Sequence, residues 1–174
     1  SYTFAVTPIR SPILESLKKQ IIRTTLMKIG FMRTTSKAIV FGPVSKGGLG
    51  LRSLFIEAGI EKTIMLIRHI RDDKEIGKII IINLQWLQQL AGVSFSIFKF
   101  PSIPLPYIVY DWFTNLLEFL DAKNGSLEIP TIEKRIPKPL RLQDKLLMGI
   151  VLQEGVSKRD LIMFNYVHIY YGVY

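Results

Sequence analysis

The sequence predicts an all-α fold, an irregular bundle of five or six helices with Pro-rich connectors and at most short strands. Three observations lead there. Apolar residues recur at three- and four-residue spacing through several long stretches, the spacing that keeps side chains on one helix face. Residues that start and stop helices bracket those stretches. The prolines at 101–106 and 130–139 forbid a continuous helix there and so separate the stretches. No self-similarity at a period of about 20–50 residues is visible, so a solenoid is not indicated.

Each element has its own reason. Ser11-Pro12 reads as an N-cap followed by Pro at the first helical position, opening a helix that Gly30 stops. Its apolar face is expected at Ile13, Leu14, Leu17, Ile21 and Thr24, with Lys18, Lys19, Arg23 and Lys28 turned away. Residues 31–41 read as a loop with a short strand at Ala38–Phe41. Gly47-Gly48-Leu49-Gly50 must turn, because three glycines in four residues weaken any regular element. Ser53 then caps a helix with Ile56, Ile60, Ile64, Ile67 and Ile70 on its inner face. A second long helix runs from Glu75 to Ala91 through Ile76, Ile79/Ile80, Leu84, Leu87 and Leu90/Ala91, and Gly92 stops it. After the Phe- and Pro-punctuated connector 93–110, an apolar helix spans Asp111 to about Ala122. Asn124-Gly125 is a tight turn, followed by a short strand at Leu127–Ile129 and a second Pro-rich linker. Two helices close the chain, one over Arg141–Gln153 and one opened by the capping box Ser157-x-x-Asp160.

Composition narrows the function classes. A chain of 174 residues with 48% apolar content can bury roughly two thirds of its surface in one core, so general disorder is excluded. The net charge is +9 and unevenly placed. Residues 1–46 hold eight bases (Arg10, Lys18, Lys19, Arg23, Lys28, Arg33, Lys37, Lys46) and one acid, Glu15; the rest hold 23 − 8 = 15 bases and 14 − 1 = 13 acids. That excess points to a polyanionic partner on the N-terminal side. With no cysteine, disulfides and thiolate metal sites are excluded and the redox compartment stays open. Apolar runs such as Ile79–Ile82 fall far short of the roughly 20 residues of a membrane span, so no membrane partner is expected. The first residue is Ser, and the chain is expected to be a piece of a longer polypeptide.

The chemistry-bearing residues form few constellations. Asp72-Asp73 is the one adjacent acid pair, and two-metal phosphoryl transfer needs such carboxylates to hold two metal ions about 4 Å apart. Here the pair ends a helical pattern among Arg68, Arg71 and Lys74, and reads as solvated helix-end acids. His69 and His168 cannot furnish a zinc site between them, and no G-x-S-x-G is present. The Gly-rich turn, flanked by Lys46 and Arg52, lacks the Gly-Lys-Ser/Thr of a P-loop. It is either a turn that lets backbone approach backbone or a seat for a nucleic-acid phosphate. The aromatic cluster Phe95, Phe98, Phe100, Tyr107, Tyr110, Trp112 and Phe113 reads as core, with base stacking as the other possibility. The basic residues Lys18, Lys19, Arg23, Arg33, Lys37, Lys46, Arg52, Arg68 and Arg71 are the candidate nucleic-acid-binding set, with Arg68 and Arg71 three apart on one helix face. No catalytic residue and no metal ligand is proposed.

One ordered set of motifs carries a resemblance: Gly42-Pro43 with Gly47-Gly48-Leu49-Gly50; Ile67-Arg68-His69-Ile70-Arg71; Glu75-Ile76-Gly77; Trp86 with Ala91-Gly92; Leu105-Pro106-Tyr107; Trp112-Phe113; Phe119-Leu120; Asp144 with Met148; and Asn165 with Tyr170. Together they resemble the post-palm region (the thumb and C-terminal part) of retrotransposon-type reverse transcriptases, RNA-directed DNA polymerases such as those of diatoms and related eukaryotes. The likeness covers roughly residues 24–171, and departs from the family where Tyr166-Val167-His168 stands in place of an arginine after Asn165. The resemblance implies a basic helical thumb-like region over 1–125 and a Pro-rich linker with a C-terminal helix pair over 126–174, which can also pack as one domain. It implies no cofactor in this part, Mg²⁺ in the parent polymerase, and as partners a DNA or RNA backbone and the parent's palm and fingers. Two other readings stay open: a helical scaffold or protein-interaction module without nucleic acid, and a basic amphipathic surface for anionic lipid.

Overall fold

The computed structural model describes residues 5–72, 74–139, 141 and 143–172. Among them every regular element is helical: α1 (Ser11–Lys28), α2 (Lys37–Phe41), a 3₁₀ turn (Val44–Lys46), α3 (Leu54–Asp72), α4 (Glu75–Ala91), α5 (Trp112–Ala122), α6 (Pro130–Glu133), α7 (Leu147–Gln153) and α8 (Lys158–Tyr171). The fold class is therefore all-α, and no described helix is long and apolar enough to cross a membrane. The chain forms two compact units, residues 1–64 and 65–174, with the division inside α3. The sequence-based boundary at 125/126 falls within the second unit.

In the first unit, α1 begins one residue earlier than its capping logic requires. Arg10 occupies the cap position, no side chain caps the helix, and Ser11 is already helical. Its inward face also differs from expectation. Leu14 and Leu26 are buried with Lys18 and Ile22 between them at four-residue spacing, while Ile13 is 53% exposed and Leu17 and Ile21 face solvent. The helix carries two apolar stripes about 100° apart, and only long-range packing chooses between them. A similar correction applies to α3: Ala58, Lys62 and Leu66 are buried, whereas Ile60, Ile64 and Ile67 are exposed. Hydropathy favours the isoleucines over an inward row that contains an alanine and a lysine.

The expected strand at Ala38–Phe41 is the short helix α2 instead. Ser36 caps it by accepting from the Ala38 N–H at 3.3 Å, which overrides the β preference of Ile39 and Val40. Its C-terminal end is closed from outside. The N–H groups of Leu49 and Leu51 donate to the carbonyls of Ile39 and Val40 at 2.8 and 3.1 Å, and Gly50 N–H donates to Gly42 at 2.9 Å. Carbonyls in the last turn of a helix have no partner within it; here the Gly-rich turn supplies them. The crossing is so close that a Cβ on Gly48 would collide with the Gly42 carbonyl.

The second unit has a core built from Leu84, Leu87, Ala91, Phe98, Leu116, Leu120, Ile132, Met148 and Leu161, among others. Helix α7 packs on α8, and α4 on both α6 and α8. Helix α4 runs over Glu75–Ala91 as expected and ends in left-handed Gly92, though Ile76 and Ile79 are exposed rather than inward. Asp111 opens α5 with a complete capping box to Thr114. No strand forms at 127–129: Leu127 makes a single backbone bond to Phe98, and Pro130 opens α6, which buries Ile132. Helix α7 starts at Leu147 rather than Arg141; before it, Asp144 N–H to Arg141 carbonyl is an isolated turn.

A polar lock closes α4. Its terminal carbonyls at Gln89, Leu90 and Ala91 meet His168 Nε2 at 3.2 Å, Asn165 Nδ2 at 2.7 Å and the Tyr107 hydroxyl at 3.1 Å. The Gln88 side chain donates to the Val93 and Phe95 carbonyls and accepts from Ile97 N–H, fixing the chain just beyond. Gly92 is left-handed with His168 Nε2 only 2.7 Å from where a Cβ would sit, so no larger residue fits. Burial pushes the Tyr107 phenol above its ordinary pKa, which keeps it a donor.

These contacts set measurable stabilities. Gly48→Ala should cost about 1–3 kcal/mol in urea denaturation, because backbone must move to admit the methyl. Gly149→Ala, on α7 with open space at its Cβ, should instead stabilise by about 0.5–1 kcal/mol; equal effects would contradict the packing described. Asn165→Ala, leaving the Leu90 carbonyl unpaired, should cost about 1–3 kcal/mol, whereas Tyr170→Ala at an exposed position on the same helix should change little.

Candidate nucleic-acid interface

Helix α1 and the segment 33–41 face each other across a hollow of about 400 Å³. Lys18, Lys19 and Arg23 come from one wall, Arg33 and Lys37 from the other, and Glu15 is the one acid on the lining. The floor is apolar, with Leu26 and Val40 buried beneath the cations. Lys19, Arg23, Arg33 and Lys37 are exposed, so their charge is displayed without a desolvation cost.

Lys18 sits differently from its sequence-based assignment. It lies on the inward face, half-buried, with its ammonium 3.0 Å from Glu15 Oε1 and 5.1 Å from the centroid of the Phe41 ring. Arg33 is steered by a contact of its Nε with Met27 Sδ at 3.1 Å. Among exposed groups such pairs contribute little stability, about 0–1 kcal/mol, and their consequence here is positional.

The remaining candidates are elsewhere. Lys46 is exposed on the 3₁₀ turn and Arg52 is 77% exposed, 3.2 Å from Glu57; neither lines the hollow. Arg68 and Arg71 are exposed and belong to the second unit, where Arg71 borders an apolar pocket with Leu66, Ile70 and Ile129. The turn's own backbone offers no phosphate seat, because the N–H groups of residues 46–51 all donate to backbone carbonyls. Of the acid pair, Asp72 ends α3 in solvent, and Asp73 lies outside the described residues. No group of three His, Cys, Asp or Glu side chains converges among the described residues. The aromatic cluster is largely core, with Phe98 and Phe113 buried and Phe95, Tyr107 and Trp112 packed against them.

Sequence reasoning misses Phe41 and Ile22 as parts of this site. The β-branched neighbours of Phe41 suggest a strand, and only the helix they actually form turns its ring toward α1. Comparison with protein-family models, curated proteins and solved structures finds no match to this chain.

Glu15→Gln would remove the hollow's acid and leave its cations. Heparin retention should then shift to higher eluting salt, by an affinity change of about two- to fivefold; an unchanged elution position would mean that anions engage some other surface.

Proposed function

We propose that the chain is a non-catalytic C-terminal part of a retrotransposon-type reverse transcriptase, and that it binds and positions template–primer through the nucleic-acid backbone. The observation that supports this reading best is the gathering of Lys18, Lys19, Arg23, Arg33 and Lys37 around one hollow. Clustered cations neutralise phosphates and release counterions, which yields affinity that is salt-dependent and largely indifferent to sequence. The ordered motifs that resemble the post-palm region lend the parent's identity. In that parent the palm and fingers, with Mg²⁺, would carry the chemistry, and this chain would hold the polymer beside them.

A second reading is favoured by a different feature. An open groove in the second unit is lined by Trp86, Leu90, Val109, Tyr166 and Ile169, with Trp86 59% and Tyr166 65% exposed. Exposed apolar surface of this kind suits a helical interaction module without nucleic acid.

Fluorescence anisotropy with two unrelated template–primer sequences separates the readings. The Lys19→Ala/Arg23→Ala/Lys37→Ala variant should weaken both about equally and lower the slope of log affinity against log salt by about 2–3. A loss confined to one sequence, or no salt-sensitive binding by the unmodified chain, would contradict the proposal and favour the interaction module.

A further inference from the structure

We infer that the hollow of the first unit takes an unpaired nucleic-acid strand in preference to a duplex. This rests on the nucleic-acid reading above and narrows it to the single-stranded part of a template–primer. A hollow of about 400 Å³ lies within the range of roughly 300–1,000 Å³ that encloses a small organic molecule. It can house about one nucleotide, and it cannot admit a double helix.

Lys19 and Arg23 stand on α1, Arg33 and Lys37 on the opposing segment. A duplex carries its phosphates on the outside of a cylinder and is met by a row of cations on one surface. Cations on two facing walls suit a single strand passing between them, with phosphates contacted from both sides.

Beneath the cations lie Ile22, Leu26, Val40 and Phe41. Bases in a duplex are stacked on each other, whereas an unpaired base has a free face that an aromatic ring can cover; a basic groove with an aromatic platform is how non-specific single-strand binders work. Phe41 is half-buried and borders the hollow, with the Lys18 ammonium over its ring face; an entering base would take that ammonium's place on the ring, and the displaced cation would meet the adjoining phosphate. An anionic lipid surface would instead be met by apolar groups projecting beyond the charges. In the hollow the order is reversed, with apolar groups at the bottom.

The test compares the full chain's affinity for a short single-stranded DNA and for the matching blunt duplex, by anisotropy at one fixed salt concentration. The single strand should bind about tenfold more tightly. Phe41→Leu should remove most of that preference and Phe41→Tyr should keep it, while Lys19→Ala/Lys37→Ala weakens single-strand binding in a chain whose circular-dichroism melt is unchanged. Should Phe41→Leu fail to fold, the exposed-lysine variant alone decides: it must weaken the single strand more than the duplex. Equal affinity for the two DNAs, both lowered by the lysine variant, would overturn the inference and leave the nucleic-acid reading standing. A single-strand preference untouched by the lysine variant would also overturn it, by locating binding elsewhere. Failure to bind either DNA, with or without retention on phosphatidylserine vesicles, would overturn both.

Discussion

The carbonyls at the end of α2 decide whether the basic hollow exists. A helix of five residues cannot persist by itself, since nucleation is costly and its last carbonyls have no internal partner. Leu49, Gly50 and Leu51 bring N–H groups to the carbonyls of Ile39, Gly42 and Val40, and that closure fixes Lys37 and Phe41 opposite α1. It is possible only because Gly48 can pass against the Gly42 carbonyl. The Gly-rich turn thus shapes the hollow without lining it.

The second unit uses the same device on a larger scale. Three successive carbonyls of α4 are met by Tyr107, Asn165 and His168, drawn from a connector and from α8. Several residues that carry the family resemblance (Ala91-Gly92, Tyr107, Met148 and Asn165) meet around this one helix end. Hydrogen-bond satisfaction at a buried helix terminus is a sufficient physical reason for residues of these types to occur there. These residues therefore bear on architecture, and the cations of the first unit bear on function.

Much of the architecture was legible in the sequence, for local reasons. Gly92 stops α4, Ser157 caps α8, a helix begins at Asp111, and Asn124-Gly125 turns the chain, because each acts through bonds to near neighbours. The illegible parts depend on distant partners. The inward faces of α1 and α3 required knowing what packs against them. Helix α2 depended on a turn further along the chain, and α6 on a core that accepts Ile132. The site shows the same division. The bases of residues 1–46 were visible one by one, but their meeting across one hollow, and the addition of Phe41, come from tertiary closure. The Gly-rich turn was the instructive ambiguity: its flanking cations suggested a phosphate seat, whereas its own N–H groups are taken up by backbone carbonyls.

Whether the hollow holds a polyanion, as proposed, is decided by lysine acetylation read by mass spectrometry with and without bound oligonucleotide. Lys18, Lys19 and Lys37 should become protected while exposed Lys123, Lys145 and Lys158 react as before. Protection spread evenly over all six, or confined to the second unit, would contradict it.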